Sequence, residues 1–374
     1  MNKEKILAAL AAAVFLTASG CSDSPGKLVP ADSSSSQAGS VTAELPADST
    51  ADTTASAADT ASETVTQSET VTSQTTTSAA ASTTKETAKK TTPRSKTTVE
   101  VDNTPIFNSA AWFSKVNKVT SNEDLKTWVG KLDNVIKSYG SRLGFAYYDV
   151  INGVTISYNA NTKFQTCSTI KVPYCKALLE SGISPDELVT IRKAYAYAAP
   201  EPGHLTADDI NKKYTVKSLI ENTVRLSDNT AYINLIDTYG RYVFNSMQYR
   251  LGINCLMYDG YYFGMATANE MLASFIDVYE YSNQSELGKW LVKLMCETSS
   301  NYQISAALGE RYKVAHKYGA DHETSSYHDC AICYAERPFI LCIMTEQTPE
   351  TDEANQSFQE MAEIFAELNE IIVS

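Results

Sequence analysis

Between residues 22 and 100 the chain has no phenylalanine, tyrosine or tryptophan, although the 374-residue protein carries 36 aromatics. Phe15 is the only aromatic before Phe107, so residues 101–374 hold the other 35. Serine and threonine fill 34 of those 79 positions instead. A segment without aromatics cannot bury enough apolar surface to offset chain entropy. A second globular domain in the first hundred residues is therefore excluded, and one folded domain of roughly 270 residues is expected. Excess positive charge is missing too. The net charge is −13, of which residues 101–374 carry −10. So acidic a domain repels a phosphate backbone, which excludes nucleic acid as a partner class.

No apolar run reaches membrane length. The longest candidate, residues 6–17, follows Lys3 and Lys5 and precedes Ala18-Ser19-Gly20. That layout predicts a secretory signal rather than a span. Cys21 comes next, and the segment resembles a bacterial lipoprotein lipobox, with Ala18 where leucine is usual. The resemblance implies lipidation at Cys21 and a domain anchored on the extracellular face of a bacterial membrane; simple secretion is the alternative. The expected organisation is a signal over 1–21, a disordered Ser/Thr-rich tether over 22–103 and one domain over 104–374.

Histidine is scarce. The four copies (His204, His316, His322, His328) show no paired metal spacing, so no metal and no cofactor are expected. Without Cys21 the domain has seven cysteines at irregular spacing, which implies no disulfide framework. Cys330 and Cys333 form a CxxC inside a strand-like pattern and read as small buried hydrophobes.

The patterns that are present predict a helix over 121–139 and a hairpin over 143–158 turning at Asn152-Gly153. Helices follow at 172–180, 216–226, 230–239 and 267–279. Strands are expected at 312–318, 327–334 and 338–345, and a last helix carries Phe358, Met361, Ile364, Phe365, Leu368 and Ile372. One sheet built from both ends of the chain and covered by helices makes this an α+β domain rather than a doubly wound one. No glycine-rich phosphate loop follows any of the strands.

Three short motifs occur in order. Ser168-Thr169-Ile170-Lys171 places a hydroxyl and an amine three residues apart, on one face of a helix. A desolvated lysine loses pKa and becomes able to take a serine proton. Ser227-Asp228-Asn229 lies just before the helix at 230, and Lys317-Tyr318-Gly319 stands at the end of a predicted strand. A lysine there can offer charge to a substrate carboxylate, and an open strand edge can bond an extended ligand.

This ordered trio resembles the signature of class A β-lactamases and penicillin-binding proteins. The resemblance extends over residues 105–374, through the stretch from Tyr158 to Pro173, the helix leading into Ser227, and the strands around Lys317 and Cys330. It implies a β-lactamase/transpeptidase-like fold with Ser168 as the acylated nucleophile, Lys171 as its proton acceptor and Ser227 as a proton relay. Asn229 then binds the substrate's side-chain amide and Lys317 orients its carboxylate, with Tyr318 and Gly319 beside it. The backbone N–H groups of Ser168 and Ala320 form the oxyanion hole. The implied partner is a β-lactam or a D-alanyl peptide of peptidoglycan, met by a monomer.

Two positions depart from the family. No Glu-x-x-Leu-Asn lies between Asn229 and Lys317, where class A β-lactamases keep the glutamate that activates the deacylating water. The short loop 252–264 has Asp259 as its only acid, read as a turn residue before Gly260, and Glu270 reads as a surface residue of the next helix. Deacylation is therefore expected to be slow. Tyr318 replaces a usual threonine or serine, and its phenol either crowds the pocket or vacates it. Tyr195 and Tyr197 are candidates for the site mouth or for packing. The rival reading from another class is a non-catalytic wall-peptide binder, against which the joint presence of Ser168 and Lys171 argues.

Overall fold

Residues 112–114, 122–139, 142–159, 161–197 and 200–372 are described by the computed structural model. The expected signal, Cys21 and the expected tether lie outside them. Strand β10 (Phe339–Glu346) shows how the domain is organised. Phe339, Leu341 and Ile343 point to one core, while Ile340, Cys342 and Met344 point to the other. An unbroken apolar run is what a central strand needs when both faces are covered, because side chains alternate with period two.

Six antiparallel strands form that sheet, in the order β1-β3-β2-β10-β9-β8. They are β1 (Trp112–Ser114), β2 (Leu143–Asp149), β3 (Thr155–Tyr158), β8 (Lys313–Asp321), β9 (Ser326–Tyr334) and β10. Both halves of the chain contribute, since β2 pairs with β10 through Leu143↔Thr345 to Asp149↔Phe339. One face packs on α1 (Asn122–Tyr139) and α9 (Asp352–Ile371), where Trp128 and Tyr147 close on Phe365 with ring centroids 5.8 and 5.2 Å apart.

The other face receives the helical middle: α2 (Lys171–Glu180), α3 (Val216–Arg225), α4 (Asn229–Tyr239), α5 (Tyr242–Leu251), α6 (Ala268–Gln284) and α7 (Glu286–Cys296). A short helix α8 (Ile304–Leu308) leads into β8. Two small ribbons complete the description, β4 (Phe164–Gln165) with β7 (Met265–Ala266), and β5 (Leu188–Thr190) with β6 (Lys213–Thr215). Cys330 and Cys333 are fully buried in β9, as hydrophobes of a covered strand.

Among the described residues β8 is an edge strand, bonded to β9 alone, so one row of its backbone groups has no strand partner there. The Lys317-Tyr318-Gly319 segment sits inside β8, not at its end as expected: the strand runs on through Asp321, paired to Ser326. The continuation matters because it keeps Ala320 in regular strand geometry beside the site.

Candidate active site

Ser168 does not sit on an α-helix. A 3₁₀ turn, Cys167–Ile170, precedes α2, and Lys171 is the first residue of the helix proper. In a 3₁₀ turn, positions i and i+3 eclipse, so serine and lysine still share a face, by a different geometry from the one expected. The turn is entered through Cys167 at φ +46°, a left-handed conformation that costs a non-glycine residue about 1–2 kcal/mol. Its approach is stitched on both sides. Thr166 N–H donates to Gly264 O (2.9 Å), and Gly264 N–H donates to Thr166 Oγ1 (3.2 Å).

His328 on β9 fastens the same approach. Its Nδ1 accepts from Thr345 N–H (3.1 Å), which leaves the proton on Nε2, and that donates to Gln165 O at 2.6 Å. Burial pushes this imidazole down to about 4, so it stays neutral and keeps the tautomer. No local motif marks His328; its partner lies 163 residues earlier.

At Gly319, β8 lies hard against the turn. A Cβ added there meets Ser168 N at 2.9 Å and both Cys167 Cβ and Thr169 N at 3.0 Å. Only a residue without a side chain lets the strand lie this close. The structure thus brings Ser168 and the Gly319-Ala320 stretch together, the arrangement that two backbone donors around one oxygen require.

Ser227-Asp228-Asn229 turns the chain from α3 into α4. Ser227 is also left-handed, at φ +54°. Asp228 caps α4, accepting from Thr230 N–H and Ala231 N–H, and its second oxygen takes Leu205 N–H at 2.8 Å. Tyr197 completes the clamp. Its hydroxyl donates to Asp228 Oδ1 (3.1 Å) and accepts Asn229 N–H, while its ring stacks on His204 at 4.7 Å. Of the two tyrosines proposed for mouth or packing, Tyr197 holds the turn and Tyr195 is half exposed at a neighbouring cavity. That cavity, about 460 Å³, is lined by Tyr195, Asn229, Ile233 and Phe263 among others.

Two buried amines meet this turn. Lys171 Nζ donates to Ser227 O (2.6 Å), Asn229 Oδ1 (2.6 Å) and Ser227 Oγ (3.2 Å). Lys317 Nζ donates to Ser227 Oγ (3.0 Å) and Tyr318 O (3.1 Å). Burial, reinforced by the charge of Lys317, holds Lys171 well below the usual lysine range. Burial likewise pushes Lys317 down to about 7, against the pull of Asp329. Asp329 is itself engaged by His316 Nδ1 and by Ile304 N–H. Such an amine can lose its proton near neutrality, and a neutral amine can accept one.

Two acids of the later loop and helix remain to be placed. Asp259 is exposed in a turn ahead of Gly260, which adopts φ +84°. Glu270 is not the surface residue expected. It closes a capping box with Thr267 at the start of α6, and also takes Asn254 N–H and the Lys163 ammonium. Tyr318 places its ring 4.3 Å from Lys317 Nζ and its hydroxyl against Ser300.

Residues 129–368 match the model of the beta-lactamase enzyme family. Among curated relatives, beta-lactamase CTX-M-4 of Salmonella typhimurium is 29% identical over 148 residues, 39% of this chain and 48% of the relative. Beta-lactamase ROB-1 of Haemophilus influenzae is 32% identical over 117 residues, 30% of this chain and 37% of the relative. The chain thus spans about half the length, or less, of these relatives. Among solved structures, an ancestral class A beta-lactamase superposes with TM-score 0.53 at 21% identity, covering 64% of this chain and 99% of that one. PBP-A superposes with TM-score 0.55 at 18% identity, covering 64% and 96%. At these identities the superpositions speak for the fold, and the fold is β-lactamase/transpeptidase-like.

Proposed function

Because the chain belongs to the beta-lactamase enzyme family, we propose that it is a serine acyl-hydrolase acylated at Ser168 by β-lactams or D-alanyl peptides, with slow deacylation. The observation that carries the reading is the pair of buried lysines sharing Ser227 Oγ beside the nucleophile turn.

Protonated Lys171 has three donors, and all three lie on oxygens of Ser227 and Asn229. On losing a proton it keeps two, and the longest contact, to Ser227 Oγ, is the one to give way. The freed lone pair takes the Ser168 proton while Oγ attacks the carbonyl carbon. The C–N bond then breaks, and the proton passes through Ser227 Oγ to the leaving nitrogen. The backbone N–H groups of Ser168 and Ala320 receive the negative charge that develops on the carbonyl oxygen. Asn229 faces the adjoining cavity from the same turn, where an acyl side chain fits.

Hydrolysis of the ester needs a further base next to a water. Asp259 stands in an exposed turn, and Glu270 is held by its cap and by Lys163. Both placements support a persistent acyl-enzyme. The solved structures similar to this chain include a point mutant of PBP-A described as an acyl-enzyme complex with penicillin G, so the fold can hold such an adduct. Lipidation at Cys21 and tethering to the outer face of a membrane complete the proposal, resting on the sequence alone.

Intact-protein mass spectrometry after penicillin treatment tests it. A persistent adduct mapped to Ser168 is expected. Rapid return to native mass contradicts slow deacylation, and no adduct on accessible Ser168 overturns both steps and favours a wall-peptide binder.

A further inference from the structure

We propose that Tyr318 is a specificity-determining residue that closes Lys317 to anions, so that a carboxylate on the leaving side of an acyl substrate adds nothing to binding or acylation. The inference rests on acylation at Ser168 and replaces the carboxylate-orienting role that family resemblance implies for Lys317.

The number of free donors on Lys317 decides the matter. A lysine ammonium has three N–H groups and no more. One of Lys317's reaches Ser227 Oγ at 3.0 Å and one reaches the Tyr318 carbonyl at 3.1 Å. The third direction is occupied by the Tyr318 ring, whose centroid lies 4.3 Å from Nζ. A cation held over an aromatic face is already stabilised there, most strongly where water is excluded. Lys317 has no exposed surface at all, so a substrate carboxylate has to displace one of these three contacts to reach it.

The ring is also held by packing. The side chain packs against the core formed by α1, α9 and the sheet. The small hydroxyl expected at this position in the family is absent, so no second donor replaces the one the ring covers. Burial lowers Lys317 to about 7, so part of the population carries no charge for a carboxylate at neutral pH.

Benzylpenicillin and its methyl ester differ only in this carboxylate and so report on it directly. Second-order acylation rate constants at Ser168 are measured for the full chain, and dissociation constants for both ligands on the Ser168→Ala protein. For the native site, acid and ester are expected within about threefold in both measurements, since a charge-assisted hydrogen bond would separate them by about tenfold or more. Tyr318→Thr uncovers the third donor and shifts the ratio at least about tenfold toward the acid. Tyr318→Phe keeps the ring over the amine and keeps the native ratio.

A native preference for the acid above about tenfold overturns the inference, as does a ratio unmoved by Tyr318→Thr. Absence of any adduct with either ligand counts against the acyl-hydrolase reading instead. The dissociation-constant ratio still decides the role of Tyr318 in that event.

Discussion

Lys171 and Lys317 lie 146 positions apart in sequence and share one atom, Ser227 Oγ, at 3.2 and 3.0 Å. Two amines on one hydroxyl cannot both be fully charged without repelling each other, and that repulsion adds to burial in lowering Lys171. The serine bridges the amines, and in the proposed reaction it also offers a path for the proton. Ser227→Ala removes both. Acylation of Ser168 is expected to fall about 10²–10⁴-fold, the range of a lost proton-transfer group. Stability falls by about 1–3 kcal/mol, because buried donors lose their acceptor. Adduct formation followed with time, together with chemical denaturation, checks the two effects separately.

The lysine pair also fixes how acylation responds to pH. The acceptor works in its neutral form, so the rate rises as the pair releases a proton. Because the two amines are coupled, the observed midpoint belongs to the pair. With Lys317 at about 7 and Lys171 well below its usual range, that midpoint is expected near neutrality rather than above pH 10. Acylation rates measured between pH 5 and 9 should climb toward the alkaline end. A flat profile over that interval removes the lysines from proton transfer.

Stability carries the same signature. Unfolded Lys317 keeps its proton up to about pH 10.4, whereas the folded site releases it near 7. Between those values the unfolded state binds more protons, so stability rises with pH, by up to about 1.4 kcal/mol per unit for one group. The clean window is about pH 7–8, below the ordinary thiol value of about 8.5. Above it, cysteines and then tyrosines whose titration burial has raised pull the other way, because the unfolded chain loses its protons first. Urea denaturation across about pH 7–8 should show the rise, and Lys317→Met should reduce its slope.

Much of this site is local in sequence, and that part is legible there. Ser168 and Lys171 are three apart, and Ser227-Asp228-Asn229 are adjacent. Helix α9 shows its core stripe openly through Phe358, Met361, Phe365 and Leu368. Other features depend on distant partners. Tyr197 reaches Asp228 across 31 positions, and nothing around it distinguishes a clamp from an exposed ring. Helix α5 escapes because its stripe is thin: Phe244, Met247 and Gln248 are buried while Tyr242 is 80% exposed. Helix α7 escapes for another reason. Ser285 serves both as the end of α6 and as the N-cap of α7, so no loop announces the boundary. Tyr318 stands out in the sequence as a departure, but its resting place against Lys317 is a tertiary fact.

Tyr197→Phe isolates the clamp. The ring and its stacking on His204 remain, while Asp228 loses one donor and Asn229 N–H loses its acceptor. A loss of about 1–2 kcal/mol is expected, in keeping with one buried hydrogen bond and one orphaned group. Asn229 also accepts from Lys171, so the defect should reach the acylation step. The rate at saturating ligand falls more than the apparent affinity changes. If stability alone falls, Tyr197 serves the fold and not the reaction.

Gly319→Ala tests how tightly the strand must approach the nucleophile. The new methyl stands within 3.0 Å of Ser168 N, Thr169 N and Cys167 Cβ, and none of these can swing aside as a long side chain would. Either β8 retreats from the turn or the turn shifts. Overpacking of this kind costs about 1–3 kcal/mol. The larger consequence is chemical, because both donors proposed for the oxyanion hole belong to the two segments forced apart. Losing one such donor lowers catalysis about 10²–10³-fold. Acylation should therefore drop far more than the change in unfolding midpoint suggests, with Lys171 and Ser227 unchanged. Replacing Gly130 is the control. A Cβ there meets nothing within 4 Å, and the residue sits in the middle of α1, where alanine stabilises a helix by about 1 kcal/mol. Equal acylation by Gly130→Ala and Gly319→Ala proteins would show that close approach of β8 to Ser168 is not needed.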